Sequence, residues 1–373
     1  MKVLVTGAHG FMGKNLALHL AERKDVELVA FTREHSAADL RSMLDAVDFV
    51  FHLAGVNRPQ DPRDFTSGNA DLTQELCRAI AQRPVARKIS VVYTSSTQAA
   101  NDNPYGRSKH AAERALFDLQ TQHGVDVHVF RLPNVFGKWC RPNYNSAVAT
   151  FCHNTARELP IQINDDAAPI TLVYVDDVLA RFLQLMDGAL ASIDAQGFSN
   201  LSPQYTTTVG EVARLIRSFK SSRETLVTDR VGAGLIRALY STYVSYLPPE
   251  EFAYAVPQHA DARGVFVELL KTPDCGQFSY FTALPNVTRG GHYHHSKTEK
   301  FLVIQGQARF RFRHMVTGQF HQLDVTADLP HVVETVPGWT HDITNTGDRD
   351  MVVMLWANEI FDRKRPDTFA CPV

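Results

Sequence analysis

The stretch Lys2-Val3-Leu4-Val5-Thr6-Gly7-Ala8-His9-Gly10-Phe11-Met12-Gly13 decides how the first part of this chain folds. Val3 to Val5 form a short apolar run of the kind that becomes a buried strand. Phe11 to Glu22 continue as an amphipathic helix. Three glycines join the two. Gly7 permits a tight turn, Gly10 a close approach of the backbone to a ligand, and Gly13 the packing of helix on strand. The first amides of a helix have no partner within it, so this turn is suited to a pyrophosphate. Phe11 and Met12, at the helix start, belong to the same cradle.

Outward from that turn, Glu27 to Phe31, Phe49 to Leu53, Ile89 to Thr94 and Val125 to Phe130 read as further strands. Leu72 to Gln82 and Lys109 to Gln122 read as helices between them. Such alternation implies a doubly wound α/β domain, a parallel sheet covered on both faces. Glu211 to Lys220 is a further helix, and Thr208 with Glu211 has capping-box spacing. At Leu247-Pro248-Pro249-Glu250-Glu251 the texture changes, since paired prolines stop a helix. Beyond Asp261 the helical period is lost. Gly264 to Lys271, Gln277 to Ala283, Lys300 to Ile304, Ala308 to Phe312, His331 to Thr335 and Met351 to Trp356 read as strands of an all-β barrel or sandwich. The sequence therefore divides into 1–248 and 249–373.

Bulk properties agree with two domains, because 373 residues exceed one ordinary core. A net charge of −2 without a basic run argues against nucleic acid or a membrane surface as partner. Cys77, Cys140, Cys152, Cys275 and Cys371 show no metal or redox spacing and read as free thiols of a cytoplasmic protein. The opening residues already read as a strand, leaving no room for a signal peptide, and no apolar run reaches membrane-span length.

Two sets of residues carry chemistry. In the first, Phe31-Thr32-Arg33 stands about 20 residues beyond the glycine turn, where a dinucleotide fold meets the adenine ribose. A cation there favours NADPH through its 2′-phosphate; Glu34 on the hydroxyls is the alternative. Tyr105 and Lys109 lie four apart at a helix start and share a face. Lysine beside tyrosine should lower the phenol's pKa and let it pass a proton to or from a carbonyl oxygen. Thr94-Ser95-Ser96 ends the preceding strand and offers a hydroxyl to the same oxygen. In the second set, His292 and His294 alternate on a strand and point to one face. Glu299 and His341 join them from neighbouring segments. Three imidazoles and a carboxylate suit a divalent metal, with zinc the first choice and iron or manganese open.

Residues 1 to about 245 resemble the extended short-chain dehydrogenase/reductases that act on nucleotide sugars. The resemblance rests on the glycine turn, His52-Leu53-Ala54-Gly55, Thr94-Ser95-Ser96, Tyr105 with Lys109, and Arg131-Leu132-Pro133-Asn134. It implies Ser96, Tyr105 and Lys109 as catalytic triad. Gly7, Gly10, Phe11, Met12, Gly13, Arg33, Leu53 and Ala54 become cofactor contacts. Asn134 and Tyr174-Val175-Asp176-Asp177 fall where the sugar is framed, although Asp176 and Asp177 also read as a helix N-cap. Residues 250–373 resemble the cupins: His-x-His, Glu299, Gly306, then Pro337-Gly338, His341 and Asn345. Asn286 replaces a glycine of that pattern. Both halves together resemble the bifunctional capsule and O-antigen enzymes of the UDP-N-acetyl-L-fucosamine route. That resemblance implies a UDP-sugar substrate, C3 epimerisation in the barrel and C4 reduction with NADPH. A homodimer is expected. Rival readings make the barrel a binding or dimerisation module, an iron dioxygenase, or part of a sugar-nucleotide sensor.

Overall fold

Five short apolar segments pair edge to edge at the start of the chain. They are β1 (Lys2–Thr6), β2 (Glu27–Phe31), β3 (Phe49–His52), β4 (Ser90–Ser96) and β5 (Asp126–Leu132). All pair in parallel, in the order β2-β1-β3-β4-β5. Successive residues Val3, Leu4 and Val5 are fully buried, as a strand covered on both faces requires. The helices α1 (Phe11–Ala21), α2 (Ala37–Leu44), α3 (Leu72–Ala81) and α4 (Pro104–His123) lie between the strands. The strand order reverses beside β1, which places the ends of β1 and β3 at the topological switch point where α/β folds bind ligands.

Helix starts differ from expectation in instructive ways. α4 begins at Pro104 rather than Lys109, with Asn103 accepting from the Gly106 amide at 2.8 Å and proline at the first turn. The reciprocal capping box sits at Ser36 and Asp39. At Thr208 only half the box forms: its hydroxyl accepts from the Glu211 amide, while the Glu211 carboxylate pairs with Arg214 instead. Asp176 and Asp177 are not N-caps either. They occupy the first turn of Val175–Met186, behind Tyr174, where acidic groups favour the helix dipole.

The structure is a computed structural model that describes residues 1–83, 88–256, 258–261, 264–267, 270, 272, 276–359 and 364–373. It forms two compact units, Met1–Val135 with Thr171–Thr206, and Phe136–Ile170 with Thr207–Val373. The division at 248/249 follows the change of secondary structure, whereas compactness groups residues 207–248 with the β-rich part.

The second unit carries two five-stranded antiparallel sheets. One runs Gln277–Ala283, Met351–Ala357, Glu299–Gln305, His331–Glu334, Ala253–Ala255. The other runs Phe320–Thr326, Gln307–His314, Trp339–Asn345, Thr288–Tyr293, Phe369–Ala370. Phe301 of the first sheet and Phe310 of the second meet edge to face at 5.7 Å. Gly264–Val267 pairs with Gln258–Asp261 as a separate hairpin and not with either sheet. The rest of that expected strand, residues 268, 269 and 271, lies outside the described residues, as does Cys275. The other four cysteines are free thiols.

Candidate functional sites

Gly7 adopts φ 69°, and a Cβ on it would meet the Ala54 backbone at 2.8 Å. A Cβ on Gly13 would fall 2.1 Å from the Gly7 carbonyl, so only glycine allows α1 to start here. Gly10 caps α1 with backbone alone, leaving Phe11, Met12 and their neighbours at an open N-terminus. Leu53 and Ala54 donate their amides to the Thr6 carbonyl and hydroxyl, which locks the ends of β3 and β1 together. His52 links Thr6 to Thr73 through both ring nitrogens, and burial lowers its pKa to about 3, keeping it neutral. Arg33 is exposed just past β2.

Ser96 ends β4, its hydroxyl accepts from the Gln98 amide at 3.1 Å, and it favours the ionised form of the Tyr105 phenol. Lys109, one turn further along α4, is buried. Its Nζ donates to the Thr94 carbonyl at 2.9 Å and to the Tyr93 hydroxyl at 3.3 Å. Burial lowers its pKa to about 8, against the opposing pull of Glu113. The expected lowering of the Tyr105 pKa is not found: burial raises it, and only the Ser96 side chain works the other way. One turn beyond Lys109, buried Glu113 receives the Ser95 hydroxyl and two hydrogen bonds from Arg131. The sequence singled out neither Tyr93 nor Glu113, and Arg131 only as part of the Arg131-Leu132-Pro133-Asn134 motif. The four-residue spacing of Lys109 and Glu113 was the available signal for one of them. Asn134 is exposed and donates to the Thr171 carbonyl at 3.1 Å.

In the β-rich unit His292, His294, Glu299 and His341 converge, with one ligand atom from each lying within 4.8 Å of every other. His292 stands directly across from His341 on adjacent strands. His294 Nε2 is 3.1 Å and His341 Nε2 3.8 Å from Glu299 Oε2. Burial lowers the pKa of His292 to about 4 and that of His341 further, helped by the neighbouring imidazoles. Burial opposes ionisation of Glu299, but His294, Lys297 and His341 hold it well below the usual carboxylate range. Both His341 ring nitrogens are buried and without a hydrogen-bond partner. The neutral imidazoles of His292 and His341, an ionised carboxylate and an unsatisfied buried nitrogen fit a divalent cation. Asn286 adopts φ 62°, so it keeps the left-handed turn that glycine serves in the cupin pattern. His314, His321 and His331 pack elsewhere, against Trp339, Phe252 and the Leu329 carbonyl. His295 is buried against Tyr293 and Phe369. Asp367, absent from the sequence reading, receives the amides of His295, Ser296 and Lys297.

Residues 3–192 match the NAD dependent epimerase/dehydratase family, and residues 259–369 the polysaccharide biosynthesis C-terminal domain. The chain is 60% identical, over all of its length and 99% of the relative, to the UDP-2-acetamido-2,6-beta-L-arabino-hexul-4-ose reductase of Pseudomonas aeruginosa. The crystal structure of the capsular polysaccharide assembling protein CapF from Staphylococcus aureus is similar over 100% of both chains, at 39% identity and TM-score 0.67. A structure of CapF with the inhibitor 3-isopropenyl-tropolone is similar over the same extent, at 37% identity and TM-score 0.61.

Proposed function

This chain belongs to the NAD dependent epimerase/dehydratase family, and from that premise we propose a bifunctional nucleotide-sugar enzyme of capsule or O-antigen synthesis. Its substrate is UDP-2-acetamido-2,6-dideoxy-4-hexulose. The β-rich unit epimerises C3, and the Rossmann unit reduces the C4 ketone to give UDP-N-acetyl-L-talosamine. The observation that carries this reading is the coexistence of the Ser96, Tyr105, Lys109 arrangement with the His292, His294, Glu299, His341 cluster.

NADPH, when bound at the Gly7 to Gly13 turn with Arg33 toward the 2′-phosphate, supplies the hydride. Tyr105 then gives its phenolic proton to O4, with Ser96 hydrogen-bonded to the same oxygen and Lys109 charged beneath. A divalent metal, zinc as first choice, would be held by the three imidazoles and Glu299 and would supply Lewis acidity toward the ketone. A proton on the carbon next to a ketone is acidic enough for a positioned base, and its return to the opposite face inverts C3. Reduction removes the acidifying ketone, so epimerisation comes first. We place the enzyme in the cytoplasm as a homodimer; among the described residues no helix is long and apolar enough to cross a membrane.

The relative's name specifies reduction alone, which favours the second reading, a barrel that only binds or dimerises. Incubation with the 4-keto sugar nucleotide in deuterated water separates the two. Label at C3 without NADPH, lost in His341→Ala, is the expected result; an unlabelled C3 sinks the epimerase. Repeating the reduction with NADH reads the cofactor preference.

A further inference from the structure

The final residues return to the Thr288–Tyr293 strand, which bears His292 and leads directly into His294. Phe369–Ala370 pairs antiparallel with it, placing Ala370 opposite His292 and Phe369 opposite Tyr293. The Cys371 amide donates to the Gly291 carbonyl at 2.7 Å. Thr340, immediately before His341, donates its hydroxyl to the Cys371 carbonyl. Phe369 stacks on Tyr293, with centroids 5.6 Å apart, and packs edge-on to His295 at 5.0 Å. Each segment carrying an imidazole of the cluster is therefore held by this strap.

Asp367 begins the strap and is the densest of these contacts. Its carboxylate accepts the amides of His295, Ser296 and Lys297 at 2.8, 2.7 and 2.7 Å, and the Ser296 hydroxyl at 3.0 Å. Those amides form the turn between His294 and Glu299. Asp367 also turns its own carbonyl toward His294 Nδ1. A carbonyl can only accept, so Nδ1 carries the proton and the lone pair is left on Nε2, the atom that faces Glu299. Thr368 adds an acceptor for Lys297 Nζ at 2.8 Å.

We propose that the C-terminal strap Asp367–Cys371 is a positioning element of the metal site, with Asp367 setting the tautomer of His294 and the shape of the turn that delivers Glu299. The proposal rests on the metal reading given above. Asp367 is not among the four clustered side chains; it acts through His294 and the turn. Outer partners of metal-bound imidazoles are worth about 10- to 100-fold in metal affinity.

The test uses the full chain, stripped with a chelator and titrated with Co²⁺, whose visible absorption reports ligand geometry. Wild type should take one Co²⁺ with an intense band. Asp367→Ala should bind about 10- to 100-fold more weakly, with a shifted band. Asp367→Asn keeps the size and one acceptor, should lie between them, and carries the test if the alanine variant does not fold. Equal affinity and an unchanged band in both variants would overturn the strap while leaving the metal site standing. A wild type that takes up no Co²⁺ would overturn the metal reading and this proposal with it.

Discussion

Lys109 shows how one buried charge is tuned in this enzyme. Its ammonium is confined between the Thr94 carbonyl and the Tyr93 phenol, and burial brings its pKa down to about 8. Desolvation disfavours the charged form, so Lys109 is protonated below that pH and neutral above it. In the reduction proposed above, Tyr105 gives up its proton, leaving a phenolate that a nearby ammonium would stabilise. Burial raises the Tyr105 pKa, so the phenol itself stays protonated across this range. Activity should therefore fall as pH rises through about 8. The kcat/KM profile for reduction measures this, and a flat profile to pH 9.5 contradicts it. The four-residue spacing of Tyr105 and Lys109 along one helix was legible in the sequence. The identity of the groups that hold Lys109 was not, because Tyr93 and Thr94 reach α4 from the separate strand β4.

At the scale of elements, the β-rich unit contains a buried charged lattice. Lys300 and Glu334, on the neighbouring Glu299–Gln305 and His331–Glu334 strands, pair in the interior. Arg223, from the Val209–Thr225 helix, approaches Glu334 at 3.0 Å. Tyr240, from the Gly234–Val244 helix, donates to Glu334 at 3.2 Å, and Lys300 donates to the Tyr254 hydroxyl at 3.0 Å. Removing one partner leaves buried charge uncompensated, a loss of about 3–5 kcal/mol. Lys300→Ala should fall near the low end, about 3 kcal/mol, because Arg223 still faces Glu334. Urea unfolding followed by fluorescence measures it; a change under about 0.5 kcal/mol, as at an ordinary surface site, would show that the lattice carries no such weight.

At the scale of the whole molecule, the lattice bears on where the chain can be cut. The 248/249 division separates helix from strand, yet residues 207–248 belong to the compact unit that holds the barrel. A fragment of residues 249–373 loses Arg223 and Tyr240 and leaves Glu334 without two of its partners. A fragment beginning at 207 keeps them. The shorter fragment should show the lower Tm and the greater tendency to aggregate; equal Tm values would place the domain edge at 249 after all.

The amino-acid order alone pointed to most of the strands, the glycine turn, the four-residue spacing of Tyr105 and Lys109, and the set His292, His294, Glu299 and His341 that converges. Each depends on local periodicity or on short motifs whose chemistry travels with them. Helix starts were less legible, since Asn103-Pro104 and Ser36 act through caps that a neighbouring charge, as at Glu211, can divert. What tertiary structure decided were groups brought together over long stretches of chain: Tyr93 and Thr94 under Lys109, Arg131 on Glu113, Glu334 among two helices, Asp367 on the His294 turn. Such partners have no sequence period relating them. Only burial, which forces every charge and every amide of a tight turn to find a partner, selects them.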